Sequence, residues 1–283
     1  MDFDGFIGDI KANEWNVYGV QVHKSGSLAH SWGDISEKHN IYSATKTVLS
    51  LAIGIAEDRG LIDVNKGLLD YLPRENVEKM SKSALDSYKK IRLCDLLSMS
   101  VSCLPFQVEG ENWLDYALSS CVEAKGEFNY SNNSAYLAGV ALAGAIGGDV
   151  GTYIEENIFK PLEIRDFSYV RSPEGFFYGA SKMELSVESL SKIGLVLYNG
   201  GEYESKRIVS ENYVKRATAV QQMNREGGYG YFIWKYRDGF SINGKWGQKC
   251  YILPKSGLMI TYLSHVDDNA GVRESMEKHI LGF

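Results

Sequence analysis

Residues 41–60 read IYSATKTVLSLAIGIAEDRG. Positions 48–56 are apolar almost throughout, so the stretch reads as a helix buried on most of its faces. Arg59 and Gly60 supply a cation in the last turn and a glycine cap. The helix opens at Ser43 and carries Lys46 three residues later, on the same face. Two readings compete: ordinary capping followed by a chance cation, or a nucleophile and its base. A serine hydroxyl is a weak nucleophile until a base takes its proton. A partly buried lysine can be that base, because desolvation and nearby dipoles lower its pKa. The backbone N–H groups of a helix N-terminus also face the place where negative charge would develop. Ser-x-x-Lys occurs four times, at Ser43/Lys46, Ser87/Lys90, Ser189/Lys192 and Ser275/Lys278. Only the first opens an apolar helix, where an unused lysine would be costly; the others lie among charges or on ordinary amphipathic faces.

The chain has 283 residues, 44% hydrophobic and 23% charged, with a net charge of −6. That is enough to bury one large core, and the acidic balance argues against nucleic acid or an anionic membrane as the partner. The most apolar runs, 48–56 and 137–146, are too short to span a bilayer. The N-terminal MDFDGFIGDIKANEW lacks the basic start and apolar run of a secretory signal. Cys94, Cys103, Cys121 and Cys250 show no paired spacing; they read as reduced, mostly buried thiols, which sets the expected location in the cytoplasm. The five histidines form no metal-binding spacing, and neither metal nor organic cofactor is called for.

Residues 15–23 alternate like a strand, and after the turn Lys24-Ser25-Gly26 residues 27–32 complete a hairpin. Helical periodicity marks 91–99, 113–121, 134–146 and 187–198, punctuated by glycine and proline. Runs 229–236, 249–253 and 258–264 are β-rich, and 272–280 reads as a closing helix. Strands at both ends with helices between them place the termini in one antiparallel sheet. The expected class is α/β (α+β), with an α/β lobe of 1–62 plus 228–283 and an inserted helical lobe of 63–227.

Two further elements bear on chemistry. Tyr130-Ser131-Asn132 is the chain's one Tyr-x-Asn and forms a polar turn before a small-residue helix. Its phenol can relay a proton and its amide can hold a substrate carbonyl; the plainer reading is a helix cap beside a packed tyrosine. Ser241-Ile242-Asn243-Gly244-Lys245-Trp246-Gly247-Gln248 brings glycines to a strand edge, where backbone can approach a ligand, or forms a simple hairpin turn. There is no G-x-S-x-G elbow, H-E-x-x-H, P-loop or G-x-G-x-x-G.

Taken in order, Ser43-x-x-Lys46, Tyr130-Ser131-Asn132 and the glycine strand at Gly244 resemble the serine β-lactamase and penicillin-binding-protein superfamily, most closely class C β-lactamases and their esterase relatives. Arg59-Gly60-Leu61-Ile62-Asp63, the run 93–99 and Tyr198-Asn199-Gly200-Gly201 extend the likeness over most of the chain. The resemblance implies a β-lactamase/transpeptidase-like fold and a hydrolase that forms an acyl-enzyme at Ser43. Lys46 and Tyr130 would share proton transfer, with either as base. The oxyanion would lie between the N–H groups of Ser43 and Lys245, beside Gly244, with Asn132 orienting the acyl group and Trp246 walling the pocket. The family's usual Lys or His two residues before the motif glycine is Ile242 here, which cannot dock a substrate carboxylate. That points to a small ester or amide rather than a β-lactam or D-Ala-D-Ala peptide. The alternatives are a non-catalytic ligand-binding or sensor protein on the same fold, or a true β-lactamase or DD-peptidase.

Overall fold

The computed structural model describes residues 1–267 and 269–282. Helix α1 (Phe3–Ala12) comes first, then β1 (Val17–Lys24) and β2 (Ser27–Gly33). The buried helix follows as α2 (Thr45–Asp58), then α3 (Leu93–Leu97), α4 (Asn132–Ile146) and α5 (Val187–Tyr198) among shorter helices and turns. Strands β3 (Trp234–Tyr236), β4 (Gly239–Gly244), β5 (Gln248–Leu253) and β6 (Leu258–Ser264) lead to α6 (Ala270–Met276). The strands form one six-stranded sheet in the order β2-β1-β6-β5-β4-β3, each neighbour antiparallel. The two chain ends thus meet where β1 pairs with β6, as the strand pattern requires.

Strand periodicity divides the core into two layers. Ile242, Cys250, Ile252, Met259 and Leu263 face the larger cluster, which holds α2, α4 and α5. Val20, Val22, Tyr251, Ile260 and Tyr262 face the smaller one, with Phe6, Ile7 and Ile10 of α1 and Val272 and Met276 of α6. Helix α5 lies inside the span 63–227 but packs on the sheet, against β1, β5 and β6.

Several local expectations change. Helix α1 was not foreseen, although the Asp2 side chain caps it by accepting from Gly5 N–H and Phe3, Phe6, Ile7 and Ile10 carry its spacing. The helices within 91–99 and 113–121 are shorter, Leu93–Leu97 and Trp113–Leu118. Only Trp234–Tyr236 of the run 229–236 is a strand, because the chain turns back on itself before it: Tyr229 bridges Trp234, Gly230 N–H donates to the Ile233 carbonyl at 2.8 Å, and Phe232 has φ 58°. All four cysteines are free thiols; Cys94 and Cys250 are buried, but Cys103 and Cys121 are exposed rather than packed. No single helix among the described residues is long and apolar enough to cross a membrane.

Candidate active site

Ser43 does not open α2 itself but sits in a 3₁₀ turn, Tyr42–Ala44, that leads into it. The turn is held from several sides. Tyr42 has a positive φ of 47°, a strained conformation for an aromatic residue, and its N–H donates to Asn40 Oδ1 at 2.8 Å. The Thr45 hydroxyl donates to the Tyr42 carbonyl at 2.6 Å and accepts from Met183 N–H at 3.3 Å. His39–Asn40 pairs with Glu184–Leu185 just upstream. These bonds turn the chain so that Ser43 is half-buried while Thr45 through Ala56 disappear into the core.

Lys46 is 1% exposed, and no carboxylate among the described residues pairs with it. Its Nζ donates to Asn132 Oδ1 and to the Ala180 carbonyl, both at 2.7 Å, and to Ser43 Oγ at 3.2 Å. Burial pushes its pKa down to about 7. A neutral amine has two N–H donors and one lone pair. Once the proton is lost, the two carbonyl oxygens keep both hydrogens and the lone pair is left for the Ser43 hydroxyl. In that state the arrangement can accept a proton from the Ser43 hydroxyl.

Tyr130 adjoins the same two groups. Lys46 Nζ lies 5.0 Å from its ring centroid. Burial pushes the phenol up to about 12, against a hydrogen bond with Ser43 that pulls it back down. The phenol stays protonated at neutral pH, which suits it to give a proton rather than take one. Ser131 caps α4 by accepting from Asn133 and Ser134 N–H, which fixes Tyr130 and Asn132 on either side of the helix start. Ser131 supplies the cap, and its neighbours Asn132 and Tyr130 contact Lys46 and Ser43.

The glycine strand reaches this corner too. A Cβ on Gly244 would lie 2.2 Å from the Ile41 carbonyl oxygen, so only glycine lets β4 approach the nucleophile turn so closely. After it, Lys245–Gly247 form a tight turn in which Trp246 has φ 63° and Gly247 φ 86°. Gln248 Nε2 pins the turn by donating to the Lys245 carbonyl at 3.0 Å. The Lys245 side chain is exposed and its Nζ lies 4.2 Å from the Trp246 ring centroid. The Trp246 indole stacks on His265 at 4.8 Å, whereas the indole stacked on Tyr130, at 5.5 Å, is Trp234. Ile242 is fully buried in the larger core, opposite Cys250, so its identity follows from packing. Ser43, Lys46, Tyr130 and Asn132 are thus brought together, with Gly244 against their turn. Asn40, Ala180 and Trp234 join them unannounced; a backbone carbonyl has no sequence signature, and Trp234 was absorbed in a strand pattern. Among the described residues no group of three His, Cys, Asp or Glu could hold a metal.

Comparison with known proteins agrees with this architecture. No curated protein matches the sequence. A penicillin-binding protein homologue from Caulobacter crescentus superposes with a TM-score of 0.76 at 15% identity, covering 99% of this chain and 97% of that one. A D-stereospecific amidohydrolase from Streptomyces sp. gives 0.76 at 17% identity with 100% of both chains covered. A family VIII carboxylesterase gives 0.78 at 14% identity, over 99% and 96%. At such identities the likeness carries the β-lactamase/transpeptidase-like fold. The family described as Beta-lactamase matches residues 16–282, nearly the whole sequence, and the chain belongs to that family.

Proposed function

We propose that the protein is a serine hydrolase that cleaves small esters or amides through an acyl-Ser43 intermediate. The observation that carries this reading is Lys46: buried, near neutrality, and bonded so that its free lone pair meets Ser43. In acylation, Lys46 takes the Ser43 proton as Oγ bonds to the substrate carbonyl carbon. The carbonyl oxygen becomes an oxyanion, held by the Ser43 and Lys245 N–H groups. As it collapses, the bond to the leaving group breaks and Tyr130 supplies the proton that makes it an alcohol or amine. Lys46 then passes its proton to the Tyr130 phenolate, which restores both groups. In deacylation Lys46 takes a proton from water as the water oxygen bonds to the acyl carbon, the bond from that carbon to Ser43 Oγ breaks, and Oγ takes the proton back from Lys46 as the acid leaves. Similarity to an amidohydrolase and a carboxylesterase supports the bond class.

The buried Ile242 favours substrates without a docked carboxylate, so nitrocefin is expected to turn over far more slowly than 4-nitrophenyl acetate. The direct test is intact-mass analysis after 4-nitrophenyl acetate or a fluorophosphonate. A single adduct mapped to Ser43 supports the reading; an unmodified protein, or an adduct elsewhere, overturns it.

A further inference from the structure

A cleft of ≈ 640 Å³ opens beside Tyr130. Its apolar wall is Phe128, Met223 and Trp234, and its charged groups are Glu127, Glu226 and Arg225. The Trp234 ring is stacked on Tyr130 at 5.5 Å and meets Phe128 edge-on at 5.9 Å, so the cleft's aromatic wall continues into the candidate site. We propose that this cleft is a subsite for a cationic group, an ammonium or quaternary ammonium, carried by the ester or amide substrate. The inference rests on the hydrolase reading and adds the substrate's charge to it.

Three features of the cleft agree on that ligand. Tryptophan offers the best π-face for a cation, and Phe128 adds a second ring. The wall holds two carboxylates to one guanidinium, and none of the three forms an ion pair among the described residues. Two lysines lie outside the wall. Lys245 is exposed over Trp246. Lys249, in register between Asn243 and Tyr262, does not line the cleft, but its ammonium attracts the Glu226 carboxylate and offsets part of that charge, while burial pushes its own pKa down to about 8. The negative field also reaches the chemistry, since the Glu226 carboxylate helps to keep the Tyr130 phenol protonated.

The test uses the full-length protein with phenyltrimethylammonium and its uncharged isostere tert-butylbenzene as calorimetric probes. In parallel, kcat/KM is compared for the acetyl esters of choline and of 3,3-dimethylbutanol, which differ by one charge, and of a carboxylate-bearing alcohol of similar length. The cation is expected to bind more tightly than its isostere, and the choline ester to be preferred, by at least about fivefold. Both preferences are expected to shrink in Glu226→Gln, an exposed position where the fold should tolerate the change, and in high salt. Equal binding of the two probes, a preference untouched by Glu226→Gln, or a preference for the carboxylate would overturn the proposal. A fluorophosphonate adduct on Ser43 in the same samples separates the two ideas. Labelling without cation preference removes the subsite alone, whereas cation binding without labelling upholds the subsite and removes the hydrolase.

Discussion

Ser43/Lys46 and Ser189/Lys192 are the same four-residue pattern on two helices of one protein, and their surroundings differ in kind. On α5, the Ser186 side chain caps the helix by accepting from Ser189 N–H, and Ser186 Oγ bonds to Ser189 Oγ. Lys192 pairs with Glu188 one turn back at 3.2 Å. That serine is part of a cap and that lysine is in an ion pair. At α2 no carboxylate among the described residues pairs with the lysine; it is sealed from water, bonded to two carbonyl oxygens, and its third neighbour is the serine. A pattern in sequence becomes chemistry only when its partners remove the charge rather than stabilise it.

Breaking the α2 pair is the largest effect expected. Ser43→Ala should lower ester turnover by about 10⁴-fold or more and abolish the covalent adduct, while Ser189→Ala leaves kcat/KM within about twofold. Lys46→Ala should cost about 10²- to 10⁴-fold in the acylation rate, measured by stopped-flow release of 4-nitrophenol; Lys192→Ala serves as its matched control. Asn132→Asp makes α2 resemble α5 by giving Lys46 a carboxylate. A nearby negative charge raises a lysine pKa by about 1–3 units, so activity at pH 7 should fall about 10- to 10³-fold and recover as pH rises. The smallest effect expected is at the edge of the site. Gly244→Ala forces a Cβ onto the Ile41 carbonyl and should lower stability by about 1–3 kcal/mol, read by urea denaturation, with a modest loss of acylation.

Much of this was legible before any coordinates. The apolar run after Lys46 predicts a buried helix because few lysines enter such a run without use. The β-branched and aromatic runs at 249–253 and 258–264 predict the sheet, and both faces of these strands are core faces. The limits were physical as well. The 3₁₀ turn at Tyr42–Ala44 is tied down by Met183, 138 residues from Thr45, a contact that local pattern does not encode. The Ala180 carbonyl that holds Lys46 lies 134 residues away in sequence and belongs to the backbone. Between two tryptophans near the third motif, sequence proximity favoured Trp246, whereas folding stacks Trp234 on Tyr130 and Trp246 on His265. Helix α1 has both its cap, Asp2, and its apolar spacing in the sequence.

The central claim is that burial makes Lys46 the base for Ser43. The rate of fluorophosphonate labelling against pH, with the adduct mapped by peptide mass spectrometry, tests it most directly. Below about pH 7 the amine is protonated and has no lone pair for the serine, so the rate should fall about tenfold per pH unit on the acid side and level off above. No basic limb should appear near pH 9, because Tyr130 holds its proton to about 12. A labelling rate at Ser43 that is flat from pH 5 to 9, or one that follows the unperturbed lysine range near 10.5, would contradict the account.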